Sequence, residues 1–379
     1  MDEKKIKYSI ILPCFNVEKY IKTCLDSIFR NDIKNSEIIL INDGSDDNFT
    51  DVCQSYFSVV LGNSITEFYY KNLWIKIISQ ENGGVSKARN IGIKNAKGQY
   101  ILFVDPDDVV LPQWISYIDD CLNDKELDVL ILGYKKIYES KSGEVSKEET
   151  KFPKQQYNIS SNKDAVSILL PMYLGYSVDN ILRWTDIGEF LPHQLEFGPV
   201  WRNVYRREFL EQHEILFNEK IRLNEDSMFN ANCMLYLSNA KAEMKAGYCY
   251  ISRETGALVS QIKGTNKVKP LIENKLALLE ERTKITVVAK TLGYEFGIKD
   301  FAGSNVMSAI EITSKSSIAN WIDVKRYLYH PIVKESVKMM SYTKMFKFNM
   351  ALFCLKCKLG FVLLAVFNLM RKMGISLSL

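Results

Sequence analysis

The sequence predicts an α/β protein built on a doubly wound, mostly parallel sheet. Apolar runs of strand length, at residues 8–13, 36–42, 74–79 and 100–104, alternate along the chain with segments of helical periodicity and short turns. The run at 100–104 is continuously aliphatic and aromatic, which is typical of a strand buried on both faces. At 379 residues the chain is long enough to form more than one structural unit.

Helix boundaries are predicted from caps and apolar stripes. Asn16 is predicted to cap a helix over residues 17–30. A helix over 86–97 is expected to close at Gly98. Residues 58–74 fit neither period well, and we interpret them as an irregular or helical insertion.

Further along the chain the alternation is less regular. Residues 139–156 are polar and lysine-rich and are expected to form a surface loop or hairpin. The remaining predicted elements are helices over 51–57, 114–122, 164–176, 223–237, 271–292, 300–314 and 319–338, and strands over 127–136 and 246–253.

Three carboxylates follow the strand at 100–104, with a proline among them. Asp105, Asp107 and Asp108 repel one another unless a cation lies between them, and Pro106 ends the strand because it cannot donate to a sheet. Ligands of open α/β sheets bind at the carboxyl ends of the strands. Hard oxygen ligands in this place suit Mg²⁺ or Mn²⁺ carrying a diphosphate, and an ordinary acidic turn is the alternative.

Other strand ends contribute residues to the same predicted crevice. Asp43 can accept the imide N–H of a uracil-type base, and Phe15 offers a ring on which a base can stack. Gly83 and Gly84 allow the backbone to approach a ligand closely. Arg89 can form a bidentate clamp either on phosphate or on the acidic cluster itself.

The charge distribution is uneven. Residues 341–379 contain six basic and no acidic side chains, so the rest of the chain carries about −2 of the overall net charge of +4, which argues against a general nucleic-acid binder. The longest uncharged run in this tail, residues 359–370, is shorter than the roughly twenty apolar residues of a bilayer span. We expect a helix lying in the interface of an anionic membrane, with packing on the protein's own core as the alternative.

Cysteine usage and the N-terminus bear on the compartment. Eight cysteines lie in apolar contexts without regular spacing, which favours buried thiols in a reducing compartment. The apolar run near the N-terminus is too short for a signal peptide. The expected location is the cytoplasm, with peripheral attachment to the inner face of the cell membrane.

Four motifs together resemble the family 2 inverting glycosyltransferases with the GT-A fold. The resemblance is strong over residues 6–136 and weaker over 195–253, where residues 201–207, Phe217, residues 224–226 and residues 248–253 match. Beyond residue 270 there is only a general likeness to bacterial surface-polysaccharide enzymes. The four motifs are Ile-Ile-Leu-Pro-Cys-Phe-Asn-Val-Glu-Lys-Tyr (10–20), Ile-Asn-Asp-Gly-Ser-Asp-Asp (41–47), Glu-Asn-Gly-Gly-Val-Ser-Lys-Ala-Arg-Asn-Ile-Gly (81–92) and Phe-Val-Asp-Pro-Asp-Asp (103–108).

The resemblance implies roles for individual residues. Asp226 matches the family's catalytic base, with Glu225 supporting it, and Asp105 would face the ribose. Asp107 would hold the Mn²⁺ or Mg²⁺ ion, and Asp108 would support or share it. The positions that would contact the uridine and diphosphate are Pro13, Phe15 (often tyrosine in the family), Asp43, Asn82 and Arg89.

Two features depart from the pattern or remain open. Pro106 replaces a residue that is usually small, which stiffens the turn without removing a ligand. His193, near the aromatic-rich acceptor segment, is a further candidate for contact with the metal or pyrophosphate, with a structural role as the alternative.

The implied activity is transfer of a hexosyl or N-acetylhexosaminyl group from a UDP-sugar to a hydroxyl of a glycan or lipid-linked acceptor, in capsule, exopolysaccharide or lipopolysaccharide assembly. The alternatives are a sugar-phosphate nucleotidyltransferase and a non-catalytic nucleotide-sugar-binding scaffold. The predicted division is a nucleotide-sugar half (1–136), an acceptor and catalytic-base half (137–260), a helical region (261–340) and a basic apolar tail (341–379).

Overall fold

The chain forms two compact units. The first contains Met1–Ala165 and Pro199–Gly256, and the second contains Val166–Gly198 and Ala257–Leu379. Residues 166–187 therefore belong with the C-terminal helices and not with the acceptor half expected from the sequence. The computed structural model describes residues 6–122, 126–140, 142–153, 156–187, 198–253 and 268–373.

A single mixed sheet forms the first unit. Its strand order is β3-β4-β2-β1-β5-β10-β7-β11-β6, with β8 paired to β7 and β9 to β11. The described strands are β1 (Tyr8–Cys14), β2 (Ser36–Asp43), β3 (Ile65–Tyr70), β4 (Leu73–Gln80), β5 (Tyr100–Phe103), β6 (Val109–Val110), β7 (Val129–Glu139), β8 (Val145–Lys151), β9 (Tyr157–Ile159), β10 (Asn203–Arg206) and β11 (Ala240–Arg253).

Parallel pairing is concentrated in the part of the sheet that carries the motifs. Strands β4, β2, β1 and β5 are parallel neighbours, so their carboxyl ends share one edge. β10 runs antiparallel to both β5 and β7, although it lies far from them in sequence. The predicted α/β class is confirmed, and the sheet is more mixed than the sequence suggested.

The helices of the described ranges cover both units. One of them, Asn162–Leu174, crosses the boundary between the units. They are α1 (Ile21–Phe29), α2 (Phe49–Phe57), α3 (Val85–Asn95), α4 (Trp114–Leu122), α5 (Asn162–Leu174), α6 (Val178–Ile187), α7 (Arg207–Gln212), α8 (Glu225–Tyr236), α9 (Val268–Thr291), α10 (Ala302–Lys315), α11 (Trp321–Leu328), α12 (Pro331–Met339), α13 (Phe346–Lys356) and α14 (Gly360–Lys372).

Asn16 and Gly98 do not cap the helices for which they were predicted. Asn16 has a φ of 53° and its side-chain oxygen accepts the backbone N–H of Asp46, so α1 begins only at Ile21. Helix α3 ends before Gly98, whose Cβ position would lie 2.5 Å from the backbone nitrogen of Ser9. Glycine is required there because β1 passes so close.

The prediction for residues 58–74 was wrong. Ile65–Tyr70 forms strand β3, which pairs antiparallel with β4 at the edge of the sheet. The side chains of β3 alternate between exposed and half-buried, and Phe68 and Tyr70 pack against the core of the first unit. The alternation is the signature of an edge strand with one solvated face.

The second unit is helical. Its core contains buried side chains from α9, α10 and α12, together with Phe348 and Leu352 of α13 and Leu363 of α14. Residues 319–338, predicted as one helix, form two, because Pro331 begins a new helix. The tail thus packs on the protein's own core with one face. Within the described ranges no single helix is long and apolar enough to cross a membrane, and only the bent pair of α5 with Val178–Trp184 meets that criterion jointly.

Candidate active site

Arg89 lies at the centre of the predicted crevice. Its side chain is 3% exposed, and Nη1 lies 2.6 Å from Oδ1 of Asp226 and 3.3 Å from Oε1 of Glu225. Nη2 lies 3.0 Å from Oδ1 of Asp105. Arg89 therefore contacts the acidic cluster through Asp105, and the clamp on phosphate stays a prediction. One guanidinium brings the end of β5 together with the start of α8.

Glu225 and Asp226 form a coupled pair at the start of α8. Burial raises the pKa of Glu225 to about 8, the negative charge of Asp226 adds to this effect, and Arg89 opposes it. Burial also raises the pKa of Asp226, again opposed by Arg89, and a hydrogen bond joins the two side chains. The backbone N–H of Val200 donates to Oδ2 of Asp226 at 3.3 Å. This arrangement favours a proton on Glu225, while Arg89 and the Val200 amide orient the carboxylate of Asp226.

The acidic turn contains three aspartates in different environments, of which Asp108 is the most buried. One oxygen of Asp108 accepts the Tyr248 hydroxyl at 2.9 Å and the other accepts the backbone N–H of Ile251 at 2.7 Å. Its side chain lies almost wholly out of solvent, and burial, followed by the charges of Asp107 and Asp105, raises its pKa well above the usual range. Asp108 therefore ties the turn to β11 and is not presented to the crevice as a metal ligand would be.

Asp107 is the more open carboxylate. Its side chain is 33% exposed. Burial and the charge of Asp105 raise its pKa to about 6, while Arg253 lowers it. No group of three or more His, Cys, Asp and Glu side chains in the described part of the chain is arranged to hold a metal. A single accessible carboxylate with excess negative charge beside it fits a divalent ion whose other ligands come from a bound diphosphate.

Asp43 holds the glycine turn in place. Its two oxygens accept the backbone N–H groups of Gly83 at 2.8 Å and Gly84 at 2.7 Å, and one also accepts the Gln80 amide. Gly44, the next residue, has a φ of +69°, and a Cβ there would lie 2.7 Å from the backbone nitrogen of Asn82. The end of β2 and the turn before α3 are therefore pinned together.

The remaining predicted contacts differ in accessibility. The ring of Phe15 is 47% exposed, and Asn82 is also exposed, so both are open to a ligand. Pro13 is buried within β1. His193 lies outside the described residues.

Sequence reasoning assigned no role to two arginines of the site. Arg253, the last residue of β11, contacts Asp107, Glu139 and Tyr20. Arg222 is exposed, and its Nη1 donates to the backbone oxygen of Gly83 at 3.1 Å. The likeness of residues 248–253 to the family was the signal that pointed towards Arg253.

Comparison with known proteins identifies the family. Residues 9–181 match the sequence model described as glycosyl transferase family 2. Residues 9–181 therefore form a glycosyltransferase family 2 domain. It is 32% identical over 257 residues to the uncharacterised glycosyltransferase EpsJ of Bacillus subtilis, a match that covers 67% of this chain and 63% of that protein. It is 35% identical over 127 residues to glycosyltransferase GlyG of Streptococcus pneumoniae, covering 33% of this chain and 38% of that protein. This chain therefore spans less than two thirds of the length of either relative.

The solved structures support the fold. Residues 1–349 of S. aureus TarS, crystallised in complex with UDP-GlcNAc, match with a TM-score of 0.55 and 18% sequence identity. The match covers 98% of this chain and 93% of the TarS chain. The GT-A fold implied by the motifs is thereby confirmed.

Proposed function

We propose that this chain is an inverting glycosyltransferase that moves a hexosyl or N-acetylhexosaminyl group from a UDP-sugar to a hydroxyl of a glycan or lipid-linked acceptor. The observation that carries the proposal is the Arg89 cluster, in which one buried guanidinium holds Asp226 beside Asp105. Asp226 comes from the acceptor half and Asp105 from the nucleotide half. Such a cluster brings a base within reach of a donor bound at the strand ends.

The nucleotide is assigned to the side of the crevice formed by β1, β2 and the glycine turn. The exposed ring of Phe15 stacks on uracil, and the exposed Asn82 contacts its polar edge. Asp43, which was predicted to accept the imide N–H of the base, is buried and holds the glycine turn that carries Asn82. Pro13 shapes the wall beside them, and Asp105 faces the ribose. The uridine-diphosphate sugar in the TarS complex is in keeping with this assignment.

Asp107 is assigned the Mn²⁺ or Mg²⁺ ion. Such an ion, when bound, neutralises the negative charge of a departing diphosphate, an effect typically worth several kcal/mol. Asp108 orients the turn that carries Asp107 through its bonds to Tyr248 and Ile251. Asp105 adds to the negative field that makes Asp107 attractive to a cation.

Asp226 is assigned the role of general base. It accepts the proton of the acceptor hydroxyl as that oxygen attacks the anomeric carbon, a contribution of roughly 10²–10⁴ in rate. Arg89 and the Val200 amide oppose the rise in its pKa that burial causes, and they hold its carboxylate in position. A single in-line displacement inverts the anomeric configuration and needs no nucleophile from the protein, so no serine or cysteine is assigned.

Substitution of Asp226 tests the proposal. Asp226→Asn is expected to abolish sugar transfer from a panel of nucleotide sugars while UDP affinity, measured by calorimetry, changes less than about threefold. The matched control is Asp51→Asn, which changes an exposed aspartate in the first turn of α2 and should leave turnover intact. Turnover that persists in Asp226→Asn, or that is insensitive to EDTA in the unmodified chain, would contradict the assignment of base or metal respectively.

The same proposal places the chain in capsule, exopolysaccharide or lipopolysaccharide assembly at the inner membrane surface. Support for membrane contact comes from the exposed large apolar side chains in and beside α13 and α14, which are Phe346, Phe353, Phe361, Val362, Leu369 and Met373. The basic residues beside them are Lys344, Lys347, Lys356, Lys358, Arg371 and Lys372, and no acid occurs in this stretch. An apolar face with a basic rim is complementary to an anionic lipid surface.

Vesicle sedimentation tests the membrane contact. The full chain is expected to pellet with phosphatidylglycerol vesicles but not with phosphatidylcholine vesicles, and added salt should reduce binding. The double variant Phe361→Ser/Leu369→Ser should remain in the supernatant. Val60→Ser, which removes an even more exposed apolar side chain from the first unit, is the control and should pellet normally. Equal pelleting of both variants would contradict the assignment.

A further inference from the structure

A second arginine lies against the acidic turn, on the side of Asp107. Nη1 of Arg253 donates to the backbone oxygen of Asp107 at 2.5 Å and lies 3.7 Å from the carboxylate Oδ2. Among the basic side chains of the described ranges, Arg253 alone lies within 4.0 Å of this carboxylate. The carboxylate assigned to the metal is therefore already next to a fixed positive charge.

Arg253 is anchored independently of that carboxylate. Its Nε lies 3.0 Å from Oε2 of Glu139, and its guanidinium carbon lies 4.3 Å from the ring centroid of Tyr20. The side chain is only 10% exposed. Because the bond to the backbone oxygen of Asp107 does not depend on the charge of the carboxylate, the guanidinium stays beside the turn when another cation approaches.

The two arginines of the site act on different carboxylates. Arg89 pairs with Asp105, Glu225 and Asp226. Arg253 pairs with Asp107 and Glu139. A change of charge at residue 253 is therefore expected to alter the affinity of Asp107 for a cation while the base and its partners remain in place.

We propose that Arg253 is a resident counter-cation that weakens the binding of a bare divalent ion at Asp107 and thereby couples metal binding to nucleotide binding. This inference rests on the proposed function, which assigns the metal to Asp107. A divalent ion alone meets one carboxylate whose charge the guanidinium partly neutralises. A nucleoside diphosphate adds anionic oxygens that outweigh the repulsion and that a guanidinium binds well. Metal and nucleotide consequently each raise the affinity for the other by the same factor.

The test counts free Mn²⁺ by electron paramagnetic resonance while the full chain is titrated, with and without UDP. The unmodified chain is expected to bind Mn²⁺ weakly alone and at least about tenfold more tightly with UDP. Arg253→Gln and Arg253→Met should bind Mn²⁺ alone about tenfold more tightly than the unmodified chain, and UDP should add less. Arg253→Lys, which keeps the charge, should match the unmodified chain within about twofold.

Lys245→Gln is the matched control. It removes one positive charge from the same strand, where Lys245 pairs with Asp120 at 2.9 Å, and should leave Mn²⁺ affinity unchanged. Thermal melting establishes that each variant is folded. Mn²⁺ binding that is unchanged or weaker in a folded neutral variant, or that is tightened equally in Arg253→Lys, would overturn the inference. If the unmodified chain takes up no Mn²⁺ even with UDP, the metal assignment of the proposed function falls as well.

Discussion

Nη1 of Arg89 lies 2.6 Å from Oδ1 of Asp226, although the two residues are 137 positions apart in the sequence. The arginine is 3% exposed, and the aspartate side chain is 20% exposed. The pair therefore has both a structural and a chemical consequence, since the charge of Arg89 neutralises buried carboxylates and also opposes the rise that burial causes in the pKa of the proposed base.

Replacing Arg89 with methionine is expected to lower the free energy of unfolding by about 3–5 kcal/mol, because buried carboxylates lose their counter-charge. Urea denaturation at pH 7 measures this loss. Arg207→Met is the control, since Arg207 is 30% exposed and pairs with Glu211 on the surface of α7. Its cost should not exceed about 1 kcal/mol. Similar losses in the two variants would show that the Arg89 cluster contributes no more than a surface pair.

The stability of the chain should depend on the ionisation of Glu225. Its pKa is raised from the ordinary glutamate range to about 8, chiefly by burial, so between these values the folded chain holds a proton that the unfolded chain has lost. The stabilisation is present at low pH and is lost as the pH rises through about 8.

The variant Glu225→Gln isolates this effect. From pH 6 to pH 9 the unmodified chain is expected to lose more than about 1 kcal/mol of unfolding free energy relative to Glu225→Gln. Urea titrations at the two pH values measure it. A difference that is constant across this range would mean that Glu225 has no raised pKa in the folded state.

Gly44→Ala should both destabilise the chain and weaken UDP binding. The new Cβ would lie 2.7 Å from the backbone nitrogen of Asn82, in addition to the strain of a φ of +69°. The expected cost is about 2–4 kcal/mol. Gly293→Ala separates the two causes, because Gly293 has a φ of +87° but no atom within 4 Å of the Cβ position. It should lose about 1 kcal/mol through strain alone. Thermal melting measures the stability of both variants, and calorimetric titration measures their affinity for UDP. Equal losses of stability in Gly44→Ala and Gly293→Ala would exclude the contact with Asn82 as a cause.

Phe15→Ala should weaken UDP binding roughly tenfold without lowering stability, since an exposed ring that stacks on a base loses about 1–3 kcal/mol when removed. Phe15→Tyr should retain the affinity because it keeps the ring. Tyr69→Ala, on the exposed face of β3, is the control and should bind UDP normally. Isothermal titration measures all three. Unchanged affinity in Phe15→Ala would remove the ring from the proposed nucleotide site.

The parallel strands of the sheet were predicted well because each is specified by a short, continuous segment of the sequence. Continuous apolar runs ended by polar turns predicted β1, β2, β4 and β5 to within two residues. Strand β3 was missed because its residues alternate with moderate polarity, a pattern that fits an edge strand but is weak beside the buried strands. The start of α1 was misplaced because Asn16 bonds to Asp46, a tertiary contact that outweighs its capping propensity.

The sequence predicted which residues lie at the site but not the different roles of neighbouring residues. Asp107 and Asp108 are adjacent and chemically equivalent in the sequence. Only the approach of β11, with Tyr248 and Ile251, makes Asp108 a buried anchor and leaves Asp107 accessible. Arg253 reaches the turn from 146 positions away, a distance over which periodicity and spacing carry no information.

The position of β10 between β5 and β7 has a consequence for biosynthesis. When residues 1–150 have been synthesised, the parallel strands β1, β2, β4 and β5 are all present. Strand β10 (Asn203–Arg206) has not yet been made, so β5 and β7 still lack the strand that lies between them. Arg89 likewise has only one of its three carboxylate partners until residues 225 and 226 have been synthesised. The amino-terminal half is consequently expected to stay incompletely folded during translation, and fragments that stop before residue 226 should be sensitive to proteases.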